Sequence, residues 1–160
     1  MEIRKATIED LDAITALEAA CFPAAEAASR ESFRKRLEVF ADRFWLLWEG
    51  DRLVSMVNGM VTDREELVDE MFADATIHQA DGKWQMIFGV ATHPEYQRRG
   101  LAAQVLQRAI ADCKAEGRTG LILTCKEQKL HYYAKFGFVS EGVSVSEHGG
   151  ALWYQMRLEF

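Results

Sequence analysis

The sequence predicts an α/β fold: a mixed, mostly antiparallel sheet with a parallel central strand pair and helices on both faces. A strand, a helix and a second strand run from residue 84 to 125, and such a crossover makes its two strands parallel neighbours. A hairpin supplies antiparallel pairing, with Phe44 to Trp48 and Leu53 to Val61 flanking the turn Glu49-Gly50-Asp51. The 160 residues suit one domain spanning 1–160, long enough to bury roughly 70% of its unfolded surface.

Each element has a local reason. Glu2 to Lys5 is a short strand. Thr7 is placed to cap a helix reaching Ala20, with Ile8, Leu11, Ile14 and Leu17 on one face, and Cys21-Phe22-Pro23 stops it. Ser29 caps a second helix to Phe40. A short acidic helix is expected over Glu65 to Phe72. Trp84 to Thr92 is apolar on both faces and therefore a central strand. Leu101, Ala102, Val105, Leu106, Ala109, Ile110 and Cys113 recur at helical spacing up to Gly117. Leu121 to Cys125 is a buried strand, His131 to Phe136 a short helix ended by Gly137, and Phe138 to Val145 and Ala151 to Leu158 the last two strands.

Composition narrows the function classes. The net charge of −6 argues against a nucleic-acid binder that relies on a broad basic surface. No apolar run approaches the roughly 20 residues of a membrane span, and Met1 to Lys5 has no apolar signal region. A cytoplasmic protein without membrane or nucleic-acid partners, monomeric or homodimeric, is expected. Cys21, Cys113 and Cys125 read as reduced thiols. His78, His93, His131 and His148 form no pair at metal-ligand spacing, so no metal is expected.

The chemistry concentrates in Gln97-Arg98-Arg99-Gly100-Leu101-Ala102, between the central strand and the long helix. A glycine turn opening a helix leaves several N–H groups unpaired and aligned, which suits a phosphate. Gly100 and Ala102 allow close approach, and Arg98 and Arg99 add positive charge. An ordinary basic turn would carry the same residues.

A second motif gives that loop its meaning. Strand, Gln-x-x-Gly-x-Ala and helix, followed by Leu123-Thr124-Cys125 and Tyr132-Tyr133-Ala134-Lys135-Phe136-Gly137-Phe138, resemble the GNAT superfamily of N-acetyltransferases over essentially the whole chain. Within it, Cys21-Phe22-Pro23, Asp69 to Phe72, Leu123 to Glu127 and Ser144 to Gly150 with Trp153-Tyr154 look similar to the microbial arylalkylamine (serotonin) N-acetyltransferase-like group.

The resemblance implies an acyltransferase with acetyl-CoA as co-substrate and a small arylalkylamine-like primary amine as acceptor, joined by direct attack in a ternary complex. It implies that Gln97, Arg98, Arg99, Gly100, Leu101 and Ala102 hold the pyrophosphate, and that Gly89, Val90 and Ala91 line the pantetheine arm. Tyr133 matches the tyrosine that serves the departing thiolate. Vertebrate members carry two histidines on the preceding strand as a proton relay; here those positions are Met86 and Phe88, so the base is open.

Glu70, beside Met71-Phe72, is a candidate for that base, and Glu26 another anchor for the ammonium. Phe22, Pro23 and His148 are candidate substrate contacts, and Phe33, Phe40 and Trp84 candidate walls of an acceptor entrance. Cys125 with His131 is the pairing a thiol nucleophile would use, although buried thiols are usually inert. Polyamine, amino-acid or peptide N-terminal acceptors stand as alternatives, as does a non-catalytic acyl-CoA-binding module.

Overall fold

The computed structural model describes residues 1–160. In chain order the elements are β1 (Glu2–Lys5), α1 (Leu11–Cys21), α2 (Arg30–Phe40), β2 (Phe44–Glu49), β3 (Arg52–Asn58), β4 (Val61–Thr62), α3 (Glu70–Ala73), β5 (Trp84–Ile87), β6 (Gly89–Thr92), α4 (Leu101–Ala115), β7 (Gly120–Cys125), α5 (Leu130–Ala134), β8 (Val139–Val143) and β9 (Tyr154–Glu159). They form two sheets, ordered β1-β2-β3-β6 and β4-β5-β7-β9-β8. The expected parallel pair is β5 with β7, in register Trp84↔Gly120 to Ile87↔Leu123; every other pairing is antiparallel.

Strand alternation distributes the core to both faces. Leu46, Met56, Met86 and Ile122 face one cluster with Ile14, Leu17, Phe33 and Phe40 of α1 and α2. Trp45, Leu47, Val57, Ile87, Leu121 and Leu123 face the other, with Val105, Leu106 and Ala109 of α4 and Phe138. Helices therefore cover both sides, as the apolar patterns predict. No helix is long and apolar enough to cross a membrane.

Four local expectations are corrected. The first turn after Thr7 is a 3-10 turn at Ile8–Asp10, because the Asp10 carboxylate reaches back to accept the Thr7 amide at 2.8 Å. The acidic helix shrinks to Glu70–Ala73. Its like charges at i,i+4 oppose helix, and the Leu67 amide is instead bonded to Gln155 Oε1 at 3.0 Å. The last two strands are shorter than expected, at Val139–Val143 and Tyr154–Glu159.

The continuous strand over 84–92 breaks at Phe88, and this break builds the site. Phe88 N donates to Asn58 O at 2.7 Å while Gly89 pairs with the same Asn58, so two residues oppose one. Beyond it β6 pairs only with β3, while β7 continues through Thr124 and Cys125 against β9. The two strands diverge into a cleft. Gly59 permits the break, since a Cβ there would lie 1.8 Å from Met86 O.

Candidate active site

Three connected cavities run through the cleft. The first, about 480 Å³, is lined by Gln97, Arg98, Gly100, Leu101 and Ala102 at the start of α4. It shares Val90, Lys129 and Tyr133 with a central cavity of about 290 Å³ between β6 and β7. The central cavity shares Glu18, Glu26, Phe72, Phe88, Gly89 and His148 with a third, of about 370 Å³, beneath α1 and α2.

The turn before α4 is shaped for an anion. Arg98 and Gly100 both take left-handed backbone, at φ 65° and 73°, which folds the intervening N–H groups into a concave nest ahead of the helix amides. Gly100 tolerates that conformation without strain. Gln97 Nε2 reaches Thr92 O at 3.4 Å, and Tyr96 anchors the turn by donating to Glu49 Oε1 at 2.9 Å. Arg99 does not line the cavity; its guanidinium lies 5.0 Å above the Tyr96 ring. A Gly100→Val variant meets no clash at its Cβ, yet forces a branched side chain into left-handed backbone at a cost of about 1–2 kcal/mol. Acyl-CoA titration is expected to read a Kd weakened roughly 5- to 30-fold; an unchanged Kd contradicts the cradle.

The pantetheine-scale passage is bordered by Gly89 and Val90. Ala91 is 2% exposed and faces the core, so it contributes only backbone. Tyr133, on α5, borders both the first and the central cavity. Burial pushes its phenol well above its ordinary value, with smaller contributions from Tyr132 and Cys125. Burial likewise pushes the Cys21 and Cys125 thiols up to about 11. Neither is a thiolate at neutral pH, and the thiolate is the form a nucleophilic cysteine needs. His131 lies exposed.

Glu70 does not enter the cleft. Its carboxylate is solvent-exposed and paired with Arg64 at 2.8 Å. The shortened helix turns it outward, and only its neighbour Met71 is buried in the core. Asp69 instead ties down the following loop, accepting from the Ser146 hydroxyl and, at 2.8 Å, from the Glu147 amide. That loop carries His148 over the central cavity. The His148 ring stacks on Phe72 at 4.9 Å and donates from Nε2 to Glu26 O at 2.7 Å. Glu26 is brought to the same place, but Lys126 neutralises it at 2.7 Å. Phe22 and Pro23 line the cavity, whereas Phe33, Phe40 and Trp84 are core residues. Met86 is fully buried; Phe88 packs on Phe72 with centroids 4.6 Å apart.

A second carboxylate bordering the central cavity is Glu18, on α1. It is 7% exposed and borders the central and third cavities. One oxygen accepts the Ala28 amide at 2.9 Å, because the loop after Pro23 folds back over it. Its other oxygen, Oε1, has no partner and lies 3.8 Å from where a Gly89 Cβ would stand. Burial raises its pKa; the Ala28 amide, Arg36 and His148 oppose that rise. The signal was present in the sequence: Glu18 follows Ile14 by four residues and Leu11 by seven, a charge on the apolar stripe of its helix.

An anion nest, a splayed strand pair and a phenol at their junction meet in one cleft, and the family the chain belongs to is one of acyltransferases. Residues 2–140 match the acetyltransferase (GNAT) domain family, and the chain belongs to it. Among solved structures it resembles the loading GNATL domain of CurA from Lyngbya majuscula (TM-score 0.86, 16% identity, 99% of this chain and 96% of that one). It also resembles the GphF GNAT-like decarboxylase in complex with isobutyryl-CoA (0.85, 17%, 99% and 99%). A third is the PaiA N-acetyltransferase from Thermoplasma acidophilum in complex with coenzyme A (0.72, 16%, 99% and 98%). At these identities the likeness is one of fold. No curated protein sequence matches the chain.

Proposed function

We propose that the protein, acting as one domain over 1–160, transfers an acetyl group from acetyl-CoA to a small primary amine by direct attack in a ternary complex. The observation that carries this is the continuity of the three cavities, with a buried carboxylate and a phenol both bordering the central one. The pyrophosphate rests on the Arg98–Ala102 nest, and the pantetheine arm follows Gly89 and Val90. The amine enters from the third cavity. Glu18 takes the proton its ammonium must lose, the role proposed on the sequence for Glu70. The nitrogen then bonds to the thioester carbon, the C–S bond breaks, and the thiolate receives the Tyr133 phenol proton. The remaining ammonium proton of the adduct restores the phenol.

An arylalkylamine is the acceptor class to test first, since Phe22, Phe72, Phe88 and Trp153 offer apolar faces for a ring. The test is steady release of CoA thiol from acetyl-CoA across arylalkylamines, polyamines and amino acids, with the product identified by mass. Amine-dependent release with a matching N-acetyl product supports the reading. Acetyl-CoA binding with no amine-dependent release points to a binding module. Cys21→Ala and Cys125→Ala are expected to keep turnover of the same order, with no acyl adduct in intact-mass spectra; a trapped acetyl-cysteine overturns direct attack.

A further inference from the structure

The third cavity holds a second unpaired charge. Arg36 sits on the core-facing stripe of α2, between Phe33 and Phe40, and is 4% exposed. Its guanidinium contacts only neutral groups: Asn58 Oδ1 at 3.3 Å and Phe72 O at 3.2 Å. Aromatic rings of Phe88 and Phe33 lie 4.9 and 5.1 Å away. Nε has no partner at all. Glu18 is the one carboxylate acting on it, from beyond ion-pair distance, and burial pushes Arg36 down to about 10. A buried guanidinium with no carboxylate in contact is costly to keep. Its planar N–H fork is shaped for a carboxylate.

We propose that Arg36 receives a carboxylate on the acceptor, so that the amine acylated here belongs to an amino acid. The inference rests on the acyl-transfer reading and deepens it. Glu18 and Arg36 line one cavity, and each keeps a buried atom without a partner, Oε1 and Nε. An amino acid satisfies both, its ammonium at Glu18 beside Gly89 and its carboxylate at Arg36. A polyamine brings a second cation to Arg36, and a simple arylalkylamine leaves that charge unpaired. A carboxylate on the donor acyl group is the other source of the same chemistry, but it must lie beside the Glu18 carboxylate with no ammonium between them.

The experiment compares phenylalanine, phenylalaninamide and 2-phenylethylamine as acceptors with acetyl-CoA, in the unaltered protein and in Arg36→Gln and Arg36→Lys. The expected result is a kcat/KM at least about tenfold higher for the free acid, a preference that Arg36→Gln abolishes and Arg36→Lys partly restores. Equal or better use of the amide or the simple amine by the unaltered protein overturns the proposal, whatever the variants do. If no amine is acylated, the acyl-transfer reading fails, and binding of N-acetylphenylalanine against its amide to the CoA-loaded protein decides the carboxylate site alone. Preference for the acid supports the site; equal affinity overturns it. Carbon dioxide released from malonyl-CoA without an amine assigns the carboxylate to the donor and also overturns the proposal.

Discussion

Glu18→Gln lowers turnover by about 10²–10⁴-fold, the range a positioned general base contributes, while acyl-CoA affinity stays near that of the unaltered protein. Gln keeps the acceptor for the Ala28 amide and nearly the same volume, so the helix and loop hold their places. What is lost is the unpartnered oxygen beside Gly89. The variant is also expected to melt no earlier at neutral pH. Burial raises the folded-state pKa of Glu18 above its ordinary value. The folded chain therefore holds more protons than the unfolded one between those two values, and stability falls as pH rises through that window. Replacing the carboxylate removes that loss, so any gain in Tm is present above the raised pKa and vanishes below the ordinary one. In the unaltered protein, turnover rises with pH through the same raised pKa. A Glu18→Gln enzyme with full turnover contradicts the assignment.

Tyr133→Phe is the second large effect, expected at roughly 10- to 100-fold in kcat from the loss of a hydrogen bond to a charged group worth about 1.5–3 kcal/mol. The phenol is held protonated by burial. Its high pKa alone would make it a reluctant donor to an ordinary thiolate, since a free thiol titrates near ~8.5. Its first contribution is therefore the hydrogen bond it donates to the departing thiolate, and its proton follows as the adduct's ammonium returns one to the phenol. Rapid-quench kinetics read the loss as slower CoA release with unchanged acyl-CoA affinity. An unaltered single-turnover rate removes Tyr133 from the reaction.

The architecture was legible where patterns are local. Ser29 caps α2 by accepting from the Ser32 amide at 3.1 Å, and the alternation along β2, β3, β5 and β7 divides into the two cores. The turn before α4 was legible too, because Gly100 and the apolar run after it mark a helix start. The break at Phe88 was not, because it depends on Gly59 approaching Met86 O from another strand, a contact that no local spacing reveals. The buried carboxylate of the cleft was missed for a related reason. Glu70 stood out within an acidic cluster, which is the common appearance of a solvated face. Glu18 and Arg36 interrupt apolar helix stripes instead, and a charge in that position is the rarer signal. Each needed the fold to show which cavity it borders.

The most direct test of acyl transfer within one cleft is a single turnover of protein loaded with acetyl-CoA, quenched before and after an amine is added. The account predicts no free CoA before the amine, then CoA and N-acetyl product appearing together in equal amounts. Free CoA released before the amine, or none released after it, contradicts it.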